Sequence, residues 1–386
     1  KRETSELGAK MAEISPVTLG LHWPGGDKSE QKIIPIFEEP DANLGFCPIP
    51  SLASLEERIK FCCEASGSKL DIDHLQNILR EKESPICFVP IELTKRMKFS
   101  QGFMKVMLAN KLIQAGCVVK FWLNDWVEHL GHKFQRNSDE TRSCGMYFIE
   151  MWKACGVVVG NTQFLWSSEE IKKRQAHYDE LVFSATKTRI SDIEQCYDYE
   201  LYSASDIFSS CMRVIDASFV NADICLIPKS QEELFSLGVG SKSPLLLVEP
   251  QLGVLSSGAR MFHNLWDKDL YMEDYPIEIR RKIKRAYCPP KDIRNPVLDY
   301  VRYIIFGFRS EFLVRRGTQY GGDIIYTTYS NLETDFQRED LHPYDLKLAV
   351  FNEINDIIMP IQKHFQSQPR AKNLYSQMRK IRQVRQ

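Results

Sequence analysis

The 386-residue sequence lacks a CxxC pair, an excess of charge of either sign, an internal repeat and any long apolar run. Its eleven cysteines are odd in number and scattered, several inside apolar stretches such as "QAGCVVKFW". That excludes a disulfide framework or a zinc ribbon and reads as buried, reduced thiols of a cytosolic protein. Eight histidines give one close pair, His129 and His132 in "VEHLGHKF"; two ligands are too few for a metal centre, and both are expected to be solvated. No apolar run reaches the roughly 18–20 residues that span a bilayer, and no signal-peptide pattern opens the chain. A soluble, cytoplasmic protein is expected. Formal net charge is −1 and the pI about 6.8, so nucleic-acid binding would have to come from a local patch.

What is present is an ordinary globular composition, 43% hydrophobic and 11% aromatic, in a chain long enough for two domains. Residues 1–50, with "WPGGDKSEQK" and "FEEPDANLGFCPIP", are rich in Pro, Gly and charge without a sustained period and read as a linker or extended arm. From Ser51 the pattern changes. In "SLASLEERIKFCCEAS", Ser54 is an N-cap with Glu57 three residues on, and "DIDHLQNILREK" is a second helix. Short apolar strands then alternate with amphipathic helices: "PICFVPI", helix 100–114, "CVVKFWLND", helix 140–155, "TQFLWSS", helix 168–184 and "ADICLIP". This alternation predicts an α/β fold, a doubly wound parallel sheet with helices on both faces over 51–256. After about residue 275 helical patterns dominate, giving a mainly α-helical domain over 276–386. From Gln362 the tail carries Lys363, Arg370, Lys372, Arg379, Lys380, Arg382 and Arg385 with no acid, a solvated surface or a phosphate contact.

The stretch "FVPIELTKRMKFSQGFMKVMLANKL", Phe88 to Leu112, has the rhythm of a strand, a phosphate-facing turn and a helix. Its turn carries Lys95, Arg96 and Lys98 where a nucleotide loop would want glycines and a histidine.

With "KLIQAGCVVKFWLNDWVEHLGHKF", "FIEMWKACG", "FLWSSEEI", "IKRAYCPPKDIRNPVLDYVRYIIF", "YGGD" and "LHPYDLK", the chain resembles the tyrosyl-tRNA synthetases of the archaeal and eukaryotic type from about Leu55 to Phe365. The resemblance implies a class I enzyme with a Rossmann-like catalytic domain, a helical anticodon-binding domain, ATP and Mg2+, and a dimer. The family's HIGH-type signature has Lys98 at its first histidine, and the glycine of the preceding Pro-Ser-Gly turn is Lys95. A lysine is a flexible, hydrated charge and not a positioned imidazole, and a side chain at the glycine obstructs close approach. The KMSKS-type loop, over 257–275, reads Arg260-Met261-Phe262-His263-Asn264, so Arg260 and Asn264 stand at positions of the signature. In the amino-acid pocket Phe88 and Ser209 replace tyrosines and Arg213 replaces a glutamine where the substrate ammonium would sit. Asp216, which in the family reads the substrate hydroxyl, and Gln231 are retained. Each lost transition-state donor costs on the order of 2.7–4 kcal/mol, so several together predict that the nucleotide fold persists without its chemistry, and no cofactor is expected in this chain.

The anticodon side differs. Tyr320 matches an aromatic residue that stacks on the first anticodon base, and His342 and Asp345 match residues that bond its edge. Stacking is worth roughly 1–3 kcal/mol. "LHPYDLK" also reads as a plain helix start, with Pro343 and Asp345 in the first turn. Lys347 and the basic tail are candidates for stem phosphates, and "MYFIEMWKACG" resembles a region near the family's dimer interface, a pattern that packing on its own sheet also explains. The expected function is that of a degenerate half of a tandem pseudo-dimer, binding the tyrosine tRNA anticodon beside a catalytic half. The linker-like start and the absence of an initiator methionine agree with that, and trimming of the chain explains the missing methionine equally well. An active but divergent tyrosine-tRNA ligase, using Lys98 and Arg260, and a free-standing pseudoenzyme are the alternatives.

Overall fold

Strands buried along their whole length need cover on both faces, and that requirement organises the N-terminal two thirds of the molecule. The computed structural model describes residues 42–130, 138–174, 176–197, 203–238, 244–255 and 268–383. Helix α1 (Leu55–Ala65) begins at a reciprocal capping box: Ser54 Oγ accepts from Glu57 N, and the Glu57 carboxylate accepts from Ser54 N. Next come α2 (Ile72–Glu81), β1 (Ile86–Ile91), a π-helical turn at Ser100–Met104 and α3 (Lys105–Gln114). They lead to β2 (Val118–Leu123), α4 (Asp125–Leu130), α5 (Ser138–Ala154) and β3 (Thr162–Trp166). The chain continues through α6 (Ser167–Lys173), α7 (Ala176–Lys187), α8 (Ile190–Gln195), α9 (Ala204–Phe219), β4 (Ile224–Ile227), α10 (Glu232–Ser236) and β5 (Leu245–Val248).

All five strands are parallel, in the order β3-β2-β1-β4-β5. The chain winds outward from β1 to β3 and then restarts on the other side of β1. Such a switch point, at the carboxyl ends of the strands, is where doubly wound sheets hold ligands. Phe88 pairs with Lys120 and Pro90 with Trp122, so Phe88 and Trp122 share one sheet face.

Three expectations change. The helix expected over 168–184 is two helices, α6 and α7, because Arg174 is extended. Strand β5 in "PLLLVEP" is not among the expected strands; it is a four-residue apolar run that periodicity alone does not tell from a buried helix segment. Residues 42–50 have no helix or strand, as expected of an arm, yet they dock on the sheet. Asn43 Nδ2 donates to Phe164 O and Asn43 Oδ1 accepts from Phe164 N, while Cys47 N donates to Gly160 O.

The C-terminal part holds α11 (Pro276–Arg285), then α12 (Pro296–Asp299) and α13 (Phe306–Phe308) joined by a π-helical segment, Tyr300–Ile305. A small antiparallel hairpin follows, β6 (Phe312–Val314) and β7 (Ile324–Tyr326), with α14 (Tyr329–Arg338), α15 (Pro343–Ser367) and α16 (Pro369–Gln383). Helix α15 packs on α11, and α16 turns back to lie on α5. For "MYFIEMWKACG" the structure shows the second of the two readings, packing on its own sheet. Tyr147, Phe148, Met151 and Trp152 of α5 are buried, with Trp152 stacked at 6.0 Å on Phe164 and Tyr147 at 5.3 Å from Phe365 of α15. The apolar face of that helix is covered by its own sheet and its own C-terminal helices.

All eleven cysteines are unpaired, seven of them buried, and Cys47 and Cys63 are exposed. Burial raises the Cys288 thiol to about 11. Among the described residues no helix is long and apolar enough to cross a membrane, and no cluster of His, Cys, Asp and Glu is set to hold a metal ion. His132 and the His129 side chain lie outside the described residues.

Candidate functional site

The turn after β1 is tied into the rest of the chain by its own charges. Lys98 Nζ lies 2.8 Å from Asp269 Oδ2, and its backbone bridges to Tyr271. Arg96 donates to Asp274 Oδ1 at 2.8 Å and lies over the Tyr271 ring, 4.2 Å from its centroid. The Lys95 carbonyl accepts from Arg382 Nε of α16 at 2.7 Å. Beneath the turn, the Glu273 carboxylate accepts from Arg382 Nη2 (2.7 Å), the Tyr147 hydroxyl (2.9 Å) and Met97 N (3.2 Å). Asp274, fully buried, accepts from Lys282 Nζ at 2.6 Å and from Tyr271 N. Two carboxylates thus serve three cations in a largely dry setting, where losing one partner is costly. Deep in the fold Lys105 pairs with Glu249.

Beside this network is a second cluster, on the face of the sheet that α9 covers. Ser209, Arg213 and Asp216 are spaced by four and three, which sets them on one side of α9. The Ser209 hydroxyl is spent on Asp206 O of its own helix. Arg213 Nη1 meets Glu92 Oε1 at 2.6 Å, and Gln231 Nε2 donates to the same oxygen at 2.7 Å. The guanidinium expected to face an ammonium is therefore neutralised by Glu92, a residue the sequence did not single out. Asp216 is buried, and its Oδ2 accepts from Trp122 Nε1 while Oδ1 faces His177 Nε2, each at 3.0 Å. Burial raises the Asp216 pKa, opposed by His177 and Trp122. Phe88, fully buried, has its ring centroid 6.1 Å from those of Trp122 and Phe235. Trp122 and His177 carried no signal in the sequence beyond being an aromatic in a strand and a polar residue on a helix.

A third cluster lies at the start of α15. Tyr320 closes a short helical turn and is 67% exposed. After it Gly321 and Gly322 take φ of +91° and +74°, backbone that a side chain would strain. Arg316 fastens this loop to the approach to α15: its Nε donates to Gly322 O and its Nη1 to Asp340 O. His342 is the N-cap, with Nδ1 accepting from Tyr344 N at 3.1 Å. In the neutral ring the proton then sits on Nε2, an outward-facing donor. Pro343 is at the first helical position and Asp345, half-buried, is in the first turn, so the plain helix-start reading also holds.

Two expectations for phosphate contacts are corrected. Lys347 donates to the carbonyls of Ala286 (2.7 Å) and Lys284 (3.2 Å), satisfying the C-terminal end of α11. Arg382 is committed to Lys95 and Glu273. Lys363, Arg370, Lys372, Arg379 and Lys380 remain exposed. Arg260 and Asn264, with the other residues of 256–267, and Arg385 lie outside the described residues, whereas 268–275 of the expected KMSKS-type loop are described and supply Asp269, Glu273 and Asp274 to the turn.

The family model for class I tRNA synthetases of the tryptophan and tyrosine type matches residues 82–358. Tyrosine–tRNA ligase 1, cytoplasmic, of Arabidopsis thaliana is 35% identical over 347 residues, 86% of this chain and 90% of that one. Tyrosine–tRNA ligase 2, cytoplasmic, of the same plant is also 35% identical, over 80% of this chain and 43% of its own length. Among solved structures, a Leishmania major tyrosyl-tRNA synthetase in complex with tyrosinol superposes with a TM-score of 0.77 at 27% identity. It covers 86% of this chain, which spans 53% of it, so the present chain matches about half the length of that protein. The chain belongs to the class I tyrosyl-tRNA synthetase family.

Proposed function

We propose that this chain is a catalytically silent tyrosyl-tRNA synthetase half that reads the anticodon of the tyrosine tRNA and works beside a catalytic half, fused or separate, in the cytoplasm. One observation carries the reading. Lys98 and the backbone of Lys95, at the HIGH histidine and at the glycine before it, are held by Asp269 and Arg382 of the same chain. A nucleotide phosphate would have to draw Lys98 away from Asp269, and the turn, fixed through the Lys95 carbonyl, offers it no glycine backbone. The residues therefore do not fit ATP and its Mg2+, and no chemical step is assigned to them.

The opposite holds for Tyr320 and His342, whose side chains are exposed on a braced loop and helix start. An aromatic face and an imidazole donor on segments that Arg316 ties together suit an unpaired base, the ring stacking and the N–H reading an edge. For the catalytic half, support comes from α7 and α8, where Tyr178, Val182, Phe183 and Ile190 are exposed, an apolar surface that a partner would cover. More than half of the second plant ligase lies outside the match, which is room for such a half.

The test is tyrosine-dependent exchange of pyrophosphate into ATP by the purified chain, with fluorescence titration of the tyrosine tRNA in the same preparation. The expected result is no exchange, with binding weakened by an altered anticodon. Exchange at the level of an active ligase would establish the divergent enzyme instead, and binding indifferent to the anticodon would end the tRNA reading.

A further inference from the structure

Trp122 has a position and a partner that ordinary core packing does not require. It lies one residue from the C-terminal end of β2 and on the sheet face it shares with Phe88, at the strand ends where this architecture holds ligands. Its indole is surrounded by rings, Phe88 at 6.1 Å and Phe219 edge-on at 6.1 Å. Its one polar atom, Nε1, donates to Asp216, a carboxylate that is 1% exposed. A buried acid is a costly way to satisfy an indole N–H that a backbone carbonyl could serve. The second oxygen of Asp216 goes to His177, which is itself held edge-on against Phe219. An aromatic box ending in one fixed acceptor is the complement of a flat aromatic molecule with one donor at its rim.

We propose that the indole of Trp122 is a built-in occupant of that box, filling the space of a ligand's aromatic ring and presenting its N–H to Asp216 in place of a ligand's hydroxyl. The inference rests on the proposed function in taking Asp216 and its neighbours as the amino-acid pocket, and it deepens it. Absence of tyrosine activation then has a cause separate from the altered phosphate turn: the ring site is already full.

The experiment is cavity rescue in the full chain. Trp122→Ala opens a space with the shape of the missing side chain, and melting temperature is followed with indole, with indene, which has the same outline but no N–H, and with L-tyrosine. Indole at ten times its dissociation constant should raise the melting temperature of Trp122→Ala by roughly 1–3 °C and leave the unsubstituted chain unchanged. Indene should give clearly less, because Asp216 then loses its donor. The proposal is overturned if indole and indene rescue equally, if neither rescues, or if the unsubstituted chain binds L-tyrosine as well as the variant does. Should Trp122→Ala fail to fold, Trp122→Leu keeps more of the core and is scored with the same probes against the same outcomes. Loss of anticodon binding alone would overturn the tRNA reading and leave this inference standing.

Discussion

The turn at Leu93–Gln101 and the loop at Gly317–Asp323 with the adjoining start of α15 are both polar, both anchored by an arginine, and used in opposite ways. In the first, the charged side chains are turned inward or paired: Arg96 with Asp274, Lys98 with Asp269, and Arg382 across to Lys95. In the second, the Arg316 side chain donates to the backbone carbonyls of Gly322 and Asp340 and its backbone N to Asp323 Oδ1, which fixes the frame and leaves Tyr320 and His342 exposed. A binding surface needs rigid support and unspent side chains; a surface whose polar groups are all satisfied within the chain has nothing left to offer a ligand. A site that has lost its chemistry is therefore recognised by where the bonds of the remaining residues go, beyond which residues have been replaced.

The largest test of the contrast is Arg382→Leu. It removes one cation from Glu273, whose side chain is 3% exposed, and a donor from the Lys95 carbonyl. Removing one partner of a buried pair costs about 3–5 kcal/mol, and because Glu273 keeps the Tyr147 hydroxyl and Met97 N we expect about 3 kcal/mol, measured by urea denaturation. Affinity for the tyrosine tRNA should stay unchanged, since the bonds of Arg382 go to Lys95 and Glu273 and to none of the anticodon-reading candidates. A fall in affinity at saturating stability would mean that the two regions act as one. Tyr320→Ala reverses the pattern. Stability should move by no more than about 0.5 kcal/mol at so exposed a position, whereas tRNA binding should weaken by about 1–3 kcal/mol, roughly five- to 150-fold, read by fluorescence titration.

Much of this was legible in the sequence because it is local. The Ser54–Glu57 box, four of the five strands of the parallel sheet and the helix start at Pro343 depend on neighbours a few residues apart, and they stand in the structure as expected. What was hidden is what the fold brings together over long separations. Lys95 and Arg382 are 287 residues apart, Asp216 and Trp122 are 94 apart, and Glu92 meets Arg213 across 121. No spacing rule announces such pairs, so Arg213 reads from the sequence as a like charge facing the substrate ammonium and Arg382 as part of a solvated or phosphate-binding tail. The substitutions at Lys98, Phe88 and Arg213 were visible as departures from a family pattern; that each had acquired an internal partner was not.

Lys347 sharpens the comparison on the anticodon side, where it follows the readers in sequence but behaves like the turn. Its ammonium donates to two carbonyls at the end of α11, and burial lowers its pKa. Lys347→Met should cost about 1 kcal/mol, the net worth of a typical hydrogen bond, by the same denaturation measurement. It should leave the salt dependence of tRNA binding unaltered, because a lysine that already serves α11 releases no phosphate counterion. A slope shallower by about one unit in the variant would return Lys347 to the RNA contacts.

The smallest expected effect separates the two regions most sharply. Lys98 is 46% exposed and its partner Asp269 30%, so their ion pair is a surface one, worth about 0–1 kcal/mol. Lys98→Ala should shift stability by less than about 0.5 kcal/mol, leave tRNA affinity alone and, in a complex with a catalytic half, leave tyrosine charging at its original rate. The residue stands where the family carries a histidine that touches phosphate. An enzyme rebuilt around it would lose about 2.7–4 kcal/mol of transition-state stabilisation with that one side chain, a fall of roughly 100- to 1000-fold in rate. Near-identity in one case and a thousandfold loss in the other make the substitution decisive although it barely perturbs the fold. The same change at Tyr320 is silent in stability and loud in binding, so the pair of alanine variants reports on each region in the quantity the other does not move.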